Sequence, residues 1–207
     1  MTSPRRIGAP DAKNRTALLD AAELLMLEEG YAAVTSRRVA AKAGLKPQLV
    51  HYYFRTMDEL FLEAFRRRAE EGVEQQERAL ASAQPLRELW AFGTDPAATA
   101  LTMEYVALAN HRKSLRDEIG RYAERMRVMQ AEAMERLAER YGIDLGEYPA
   151  PFLSALLTSL SRLVTMERSL GMSVGHDETD AVVERFLRRF EGPAREGPRT
   201  AGASGAG

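Results

Sequence analysis

The chain has 207 residues, 45% of them hydrophobic, no cysteine and a net charge of −1. That length can bury one substantial core, or one core and a small satellite, while the missing cysteine excludes disulfides, thiolate metal sites and cysteine nucleophiles. The near-neutral total argues against a simple polyanion binder. Its distribution, however, is uneven: residues 1–68 hold 12 Lys and Arg against 8 Asp and Glu, leaving 17 against 22 in the rest of a chain that has 29 and 30 in all. A basic head on an acidic body is the pattern of a compact anion-binding module attached to a separate domain.

The opening residues, MTSPRRIGAPDAKNR, lack the apolar run of a signal peptide. The longest charge-free apolar stretch, residues 148–161, has 14 residues, short of the roughly 20 a membrane span needs. It reads as a buried helix, and a cytoplasmic protein without membrane contact is expected; the absence of cysteine suits that reducing compartment.

Apolar residues recur at three- and four-residue spacing and no period-two run is long enough for a sheet, so the fold class is all-α. The first helix is expected over 11–29, with Leu18, Ala21, Ala22, Leu25 and Met26 on one face and Gly30 as its stop. Thr35 is an N-cap for a second helix ending at Ala43, with Gly44 as a left-handed terminator. Pro47 opens a third helix that ends by Phe54, because the capping box Thr56-Met57-Asp58-Glu59 starts a fourth over about 57–82. Pro85 interrupts, a short segment holds Trp90 and Phe92, and Asp95-Pro96 starts a helix towards residue 110. Residues 112–141 form one long helix of about 45 Å at ~1.5 Å per residue, closed by Gly142. Pro149 or Pro151 opens a helix reaching residue 170, and 179–190 form the last. The expected organisation is a flexible arm over 1–10, a three-helix head over 11–56, a helical body over 57–191 and a disordered tail over 192–207, which holds nothing apolar larger than alanine.

Two short helices joined by a turn at Gly44-Leu45-Lys46 have the spacing of a helix-turn-helix, whose second helix enters the DNA major groove. Val39, Ala40, Ala43, Leu45, Val50 and Phe54 supply its small core. The residues left outward are Thr35, Ser36, Arg37 and Lys42 from the first helix, and Lys46, Pro47, Gln48, Leu49, His51, Tyr52 and Tyr53 from the second. Most are the hydroxyls, amides, cations and amphipathic rings used on phosphates and base edges.

Here the sequence resembles the TetR family of bacterial transcriptional repressors, in "AAELLMLEEGYAAVTSRRVAAKAG" followed by "LVHYYFRTMDEL". The Gly30-Tyr31 pair, the helix-opening Thr35, the Ala43-Gly44 turn and the Tyr53-Phe54 ending carry the likeness, over about the first third of the chain. The resemblance implies a homodimer on a near-palindromic double-stranded DNA operator, with a variable C-terminal domain whose small-molecule ligand releases the DNA; it implies no cofactor. It assigns phosphate contact to Thr35, Ser36, Tyr52 and Tyr53, guanine reach to Arg37, and the exposed start of the recognition helix to Gln48 and Leu49. The chain departs from the family pattern at Met57, where a phosphate-contacting lysine is common, at His51, where tyrosine is common, and at Leu49, where threonine is frequent.

In the body, Trp90, Phe92, Met103, Tyr105, Met126, Met129, Phe152, Leu156 and Leu160 are the candidate lining of a cavity for a largely apolar ligand, the methionines suiting irregular shapes. Asn110-His111-Arg112 reads either as polar contacts at that pocket or as a solvated break between helices. The dimer interface is expected from the last two helices, through Leu157, Leu163, Val182, Val183, Phe186 and Phe190. The alternatives are a helical dimerisation or adaptor protein without ligand control and a helical enzyme. His51, His111 and His176 are scattered without metal-ligand spacing, and no phosphate loop or nucleophile elbow is present, so no catalytic residue is expected.

Overall fold

A computed structural model describes residues 9–146 and 148–194. Among the described residues there are no strands. The helices are α1 (Ala9–Glu29), α2 (Ser36–Lys42), α3 (Pro47–Tyr53), α4 (Met57–Leu80), α5 (Pro85–Gly93), α6 (Pro96–Ala109), α7 (Lys113–Tyr141), α8 (Ala150–Ser169) and α9 (His176–Glu191), with a 3-10 turn at Tyr31–Ala33. The expected arm shortens, because α1 already begins at Ala9; residues 1–8 and the tail over 195–207 lie outside the described residues. The last helix starts at His176 rather than 179, with Gly175 as its N-cap.

Local chemistry explains the head. Thr35 Oγ1 accepts the Arg38 N–H at 3.4 Å to start α2, and Gly44 takes the left-handed φ of 67° that ends the turn. Thr56 Oγ1 accepts the Glu59 N–H at 3.1 Å; Glu59 in return accepts the N–H of Arg55, one residue earlier than the capping box implies. Gly30, at φ 82° and ψ 163°, occupies a backbone region essentially closed to other residues.

The main core is continuous across the expected head–body boundary at 56/57. Leu18, Leu25 and Met26 of α1, Val39 of α2, Val50 of α3 and Phe54 share one buried cluster with Leu60 and Phe61 of α4, Leu101, Tyr105 and Leu108 of α6 and Leu115 of α7. Polar contacts reinforce the joint. Arg15 pairs with Glu63 at 2.5 Å, Arg67 with Asp20 at 2.6 Å and Glu23 at 3.2 Å, and the Tyr31 N–H donates to the Glu104 carboxylate of α6 at 2.6 Å. Arg112 lies 5.1 Å over the Phe61 ring and 2.6 Å from Asp58. The Asn110-His111-Arg112 break therefore serves the head–body joint and not a pocket; Asn110 and His111 are exposed.

A second, smaller cluster, Leu86, Leu137 and Leu187 with Trp90, Tyr141, Val183 and Phe190 against it, closes the far end of the body. There Glu191 of α9 accepts the Leu86 and Arg87 N–H groups at the start of α5, at 2.8 and 3.1 Å, and Arg87 pairs with Glu184 at 2.6 Å. Hydrogen bonds from Arg87, and then Arg188, hold the Glu184 carboxyl at about 2, below its ordinary range. Helices α5 and α8 cross so closely that a Cβ on Gly93 would lie 2.5 Å from Ser161 Oγ, a contact only glycine permits.

Candidate DNA-recognition face and ligand cavity

α2 and α3 bury Val39, Ala40 and Val50, with Phe54 just beyond, all at 1% exposure or less. This core fixes what remains outside. Thr35, Arg37, Lys46, Pro47, Gln48, His51 and Tyr52 are exposed, and Ser36, Leu49 and Tyr53 half-buried. The two adjacent rings divide as helical geometry requires: Tyr53 packs on the head core, while Tyr52 is 54% exposed and meets it edge-on at 5.0 Å.

The charges sort by face. Arg38 pairs with Glu29 and Lys42 with Glu28, neutralising the side of α2 that leans on the end of α1. Arg37 and Lys46 enter no ion pair among the described residues, and neither does exposed Arg55, immediately before α4. Arg55 was not among the contacts expected from the sequence. Its signal was visible: a cation two residues before Met57, the position that lacks the family's lysine.

Between the two apolar clusters the body is hollow. The cavity has a volume of ≈ 260 Å³ and is walled by α4, α5, α6, α7 and α8. Of the expected lining, Phe92, Tyr105 and Met126 are in the wall; Trp90, Met103, Met129, Phe152, Leu156 and Leu160 are not. Trp90 packs on the distal cluster. Met103, Phe152 and Leu156 are half exposed on the outer faces of α6 and α8. Leu157, expected at a dimer interface, lines the cavity instead. Apolar spacing marks a buried-looking stripe without saying whether it turns towards a hollow or outward, and the cavity side of α8 is polar, presenting Ser154, Thr158 and Ser161. The outward stripe is Phe152, Leu156 and Leu163 on α8, continued by Val182 and Phe186 on α9, each 46–60% exposed. Val183 and Phe190 are half-buried against the distal cluster.

The wall carries polar groups that the apolar pattern could not announce. Gln130 Oε1 accepts from Ser154 at 3.1 Å and Thr158 at 3.2 Å, and its amide donates to Gln76 Oε1 at 2.9 Å. Arg127 donates to Ser154 Oγ at 3.2 Å. Arg68 and Arg162 also line the cavity, and no Asp or Glu does. Tyr105, 2% exposed, has a hydroxyl without a hydrogen-bond partner; burial, followed by the Glu23 charge, pushes its pKa upward. Glu23 is likewise raised, first by burial, despite the opposing Arg67. None of the described helices is long and apolar enough to cross a membrane, and none of the described residues form a His, Cys, Asp and Glu group able to hold a metal.

Comparison with known proteins places this geometry. Residues 18–64 match the family model described as bacterial regulatory proteins, tetR family. A comparison with curated proteins found no match. Among solved structures, a TetR transcription regulator from Haloarcula marismortui superposes with a TM-score of 0.68 at 17% identity, covering 87% of this chain and 97% of that one. A transcriptional regulator from Rhodococcus sp. Rha1 gives 0.63 at 17%, over 87% and 99% of the two chains. A protein from Saccharomonospora viridis described as a transcriptional regulator, solved in complex with choline, gives 0.72 at 18%, over 86% and 96%. The shared fold extends through the body, while the match to the tetR family model lies in the head, at residues 18–64.

Proposed function

We propose that the protein is a homodimeric repressor that binds a near-palindromic operator through α3 and leaves it when a small, largely apolar ligand fills the body cavity. The observation that carries the DNA-binding half is the sorting of charge on the head. Arg38 and Lys42 are neutralised on one side of α2, while Arg37, Lys46 and Arg55 stay unpaired among the described residues beside exposed Gln48, His51 and Tyr52. Arg37 reaches a guanine edge; Thr35, Ser36, Tyr52 and Tyr53 take phosphates, and Arg55 supplies the cation that Met57 cannot. Two heads sit about 34–36 Å apart, one DNA turn.

Dimerisation uses the outward stripe of Phe152, Leu156 and Leu163 with Val182 and Phe186, a four-helix interface between copies. Val183 and Phe190, half-buried against the distal cluster, support it from beneath.

Induction runs through two helices. α4 continues directly from the head, and α6, a cavity wall, holds the head's 3-10 turn through Glu104 and the Tyr31 N–H. Filling the cavity displaces both wall helices and changes the spacing of the two heads. A coupling of about 1–3 kcal/mol, or 5–150-fold in operator affinity, suffices, and DNA must weaken the ligand by the same factor. Choline bound to the Saccharomonospora viridis protein; the arginines of this wall, with no carboxylate among them, disfavour such a cation here.

The test is a gel shift on DNA flanking the gene. Arg37→Ala should cost about 1–3 kcal/mol in specific binding if it reads a guanine, whereas Arg55→Ala should weaken all sequences alike and flatten the salt dependence by about one phosphate contact. Unchanged affinity in both variants overturns the placement of the head.

A further inference from the structure

The cavity's charge is at odds with the domain that contains it. The body has more acidic than basic residues, yet Arg68, Arg127 and Arg162 line the hollow and no carboxylate does. Arg68 leans to Glu71 at 3.8 Å, outside the wall. Among the described residues Arg127 donates only to the neutral Ser154 hydroxyl, and Arg162 makes no hydrogen bond or ion pair. The Arg162 side chain is accessible to solvent, and its guanidinium is pushed below its ordinary range by the protein packed around it and then by the Arg127 charge. An arginine remains charged through any such shift. Two like charges thus line one space that has no carboxylate in its wall.

The rest of the wall is a sleeve of Phe65, Phe92, Leu101, Ile119, Met126 and Met134. Its volume of ≈ 260 Å³ falls below the range of about 300–1,000 Å³ that suits drug-sized ligands. The space fits a medium-length chain.

We propose that the ligand is an amphipathic anion, its chain in the apolar sleeve and its head, a carboxylate or a phosphate or sulfate ester, between Arg127 and Arg162. This rests on the cavity being the ligand site, and deepens that reading by fixing the ligand's charge. An anion removes the repulsion between the two guanidiniums and takes up their idle donors, with a fork geometry suited to planar carboxylates and to phosphates. The buried and unpartnered Tyr105 hydroxyl adds a neutral donor to the same wall. The polar ladder of Gln76, Gln130, Ser154 and Thr158 holds Arg127 in place through Ser154.

The experiment is calorimetric titration of the full-length protein with decanoate, decyl phosphate, decanol and decyltrimethylammonium, repeated on Arg127→Gln, Arg162→Gln and the double variant. Melting of each variant by circular dichroism verifies folding; Arg162, being solvent-accessible, can be changed without loss of core. Decanoate or decyl phosphate should bind about 10–100-fold more tightly than decanol, and each single variant should lose about that factor for the anion alone. Whichever of the two anions binds better identifies the head group. Decanol or the ammonium binding as well as the anions, or anion affinity unchanged in the folded double variant, overturns the anionic assignment while leaving the cavity as the ligand site. If none of the four binds, the cavity reading fails and the assignment with it.

Discussion

The head–body joint and the middle of the body share helices α4 and α6 and are built to opposite specifications. At the joint, α1, α4 and α6 press Leu18, Leu60, Phe61 and Leu108 to full burial. One stretch further along, α4, α6 and α7 part around a hollow whose wall includes arginines and hydroxyls. A single helix is thus a core strut at one end and a cavity wall at the other. Packing and hollow are separated along its length, so each can be changed without the other.

The sharpest way to break this contrast is to truncate one apolar side chain in each region. Phe61→Ala, at a site 2% exposed, should lose about 3–5 kcal/mol in urea unfolding, because the packed neighbours cannot close the gap. A loss below about 1 kcal/mol would mean the head and junction do not share one core. Gly30→Ala comes next, at about 1–3 kcal/mol, since its φ of 82° with ψ of 163° strains any side-chain residue; nothing lies closer than 3.5 Å to the new Cβ, so the cost is backbone strain and not a clash. Met126→Ala, on the cavity wall, should cost about 1 kcal/mol or less, since it enlarges a space that already exists, and should alter ligand affinity far more than the melting temperature. An unfolding loss like that of Phe61→Ala would show that the hollow is not a hollow in solution.

The smallest effect separates the regions by pH. Burial raises the Glu23 carboxyl above its ordinary 4.5, so the folded protein binds that proton more tightly than the unfolded chain. Its contribution is favourable below 4.5 and falls away as pH rises through the raised value. Glu23→Gln should therefore flatten the decline in unfolding free energy just above that pH, measured by denaturation at a series of pH values. An unaltered slope would place Glu23 in a more solvated setting than its position at the joint implies.

The joint was largely legible in the sequence and the hollow was not. Thr35, Gly44, Pro47 and Thr56 act through bonds a few residues long, so α2, α3 and the start of α4 fall within a residue of expectation. The α1 face of Leu18, Ala21, Ala22, Leu25 and Met26 is buried throughout. A cavity wall, by contrast, is the sum of five helices. Its lining turns on which side of α8 faces in, and that side carries Ser154, Thr158 and Ser161 while Phe152 and Leu156 look out. Apolar periodicity chose the wrong stripe because an outward apolar face and an inward one have the same period. The wall arginines Arg68, Arg127 and Arg162 come from α4, α7 and α8, so no local spacing groups them. The continuity of the core past residue 57 also escaped the sequence, since a capping box marks where a helix begins and not where a core ends.

The bond from the Tyr31 N–H to Glu104 gives the joint a spectroscopic handle. That proton sits in the turn between α1 and α2 and is held by a side chain from a cavity helix, so it exchanges with solvent when α6 and the head part company. Its exchange rate is a clock for that local opening, separate from global unfolding. Peptide-level hydrogen exchange over residues 30–34 can thus time the motion of the head in the free protein, without DNA.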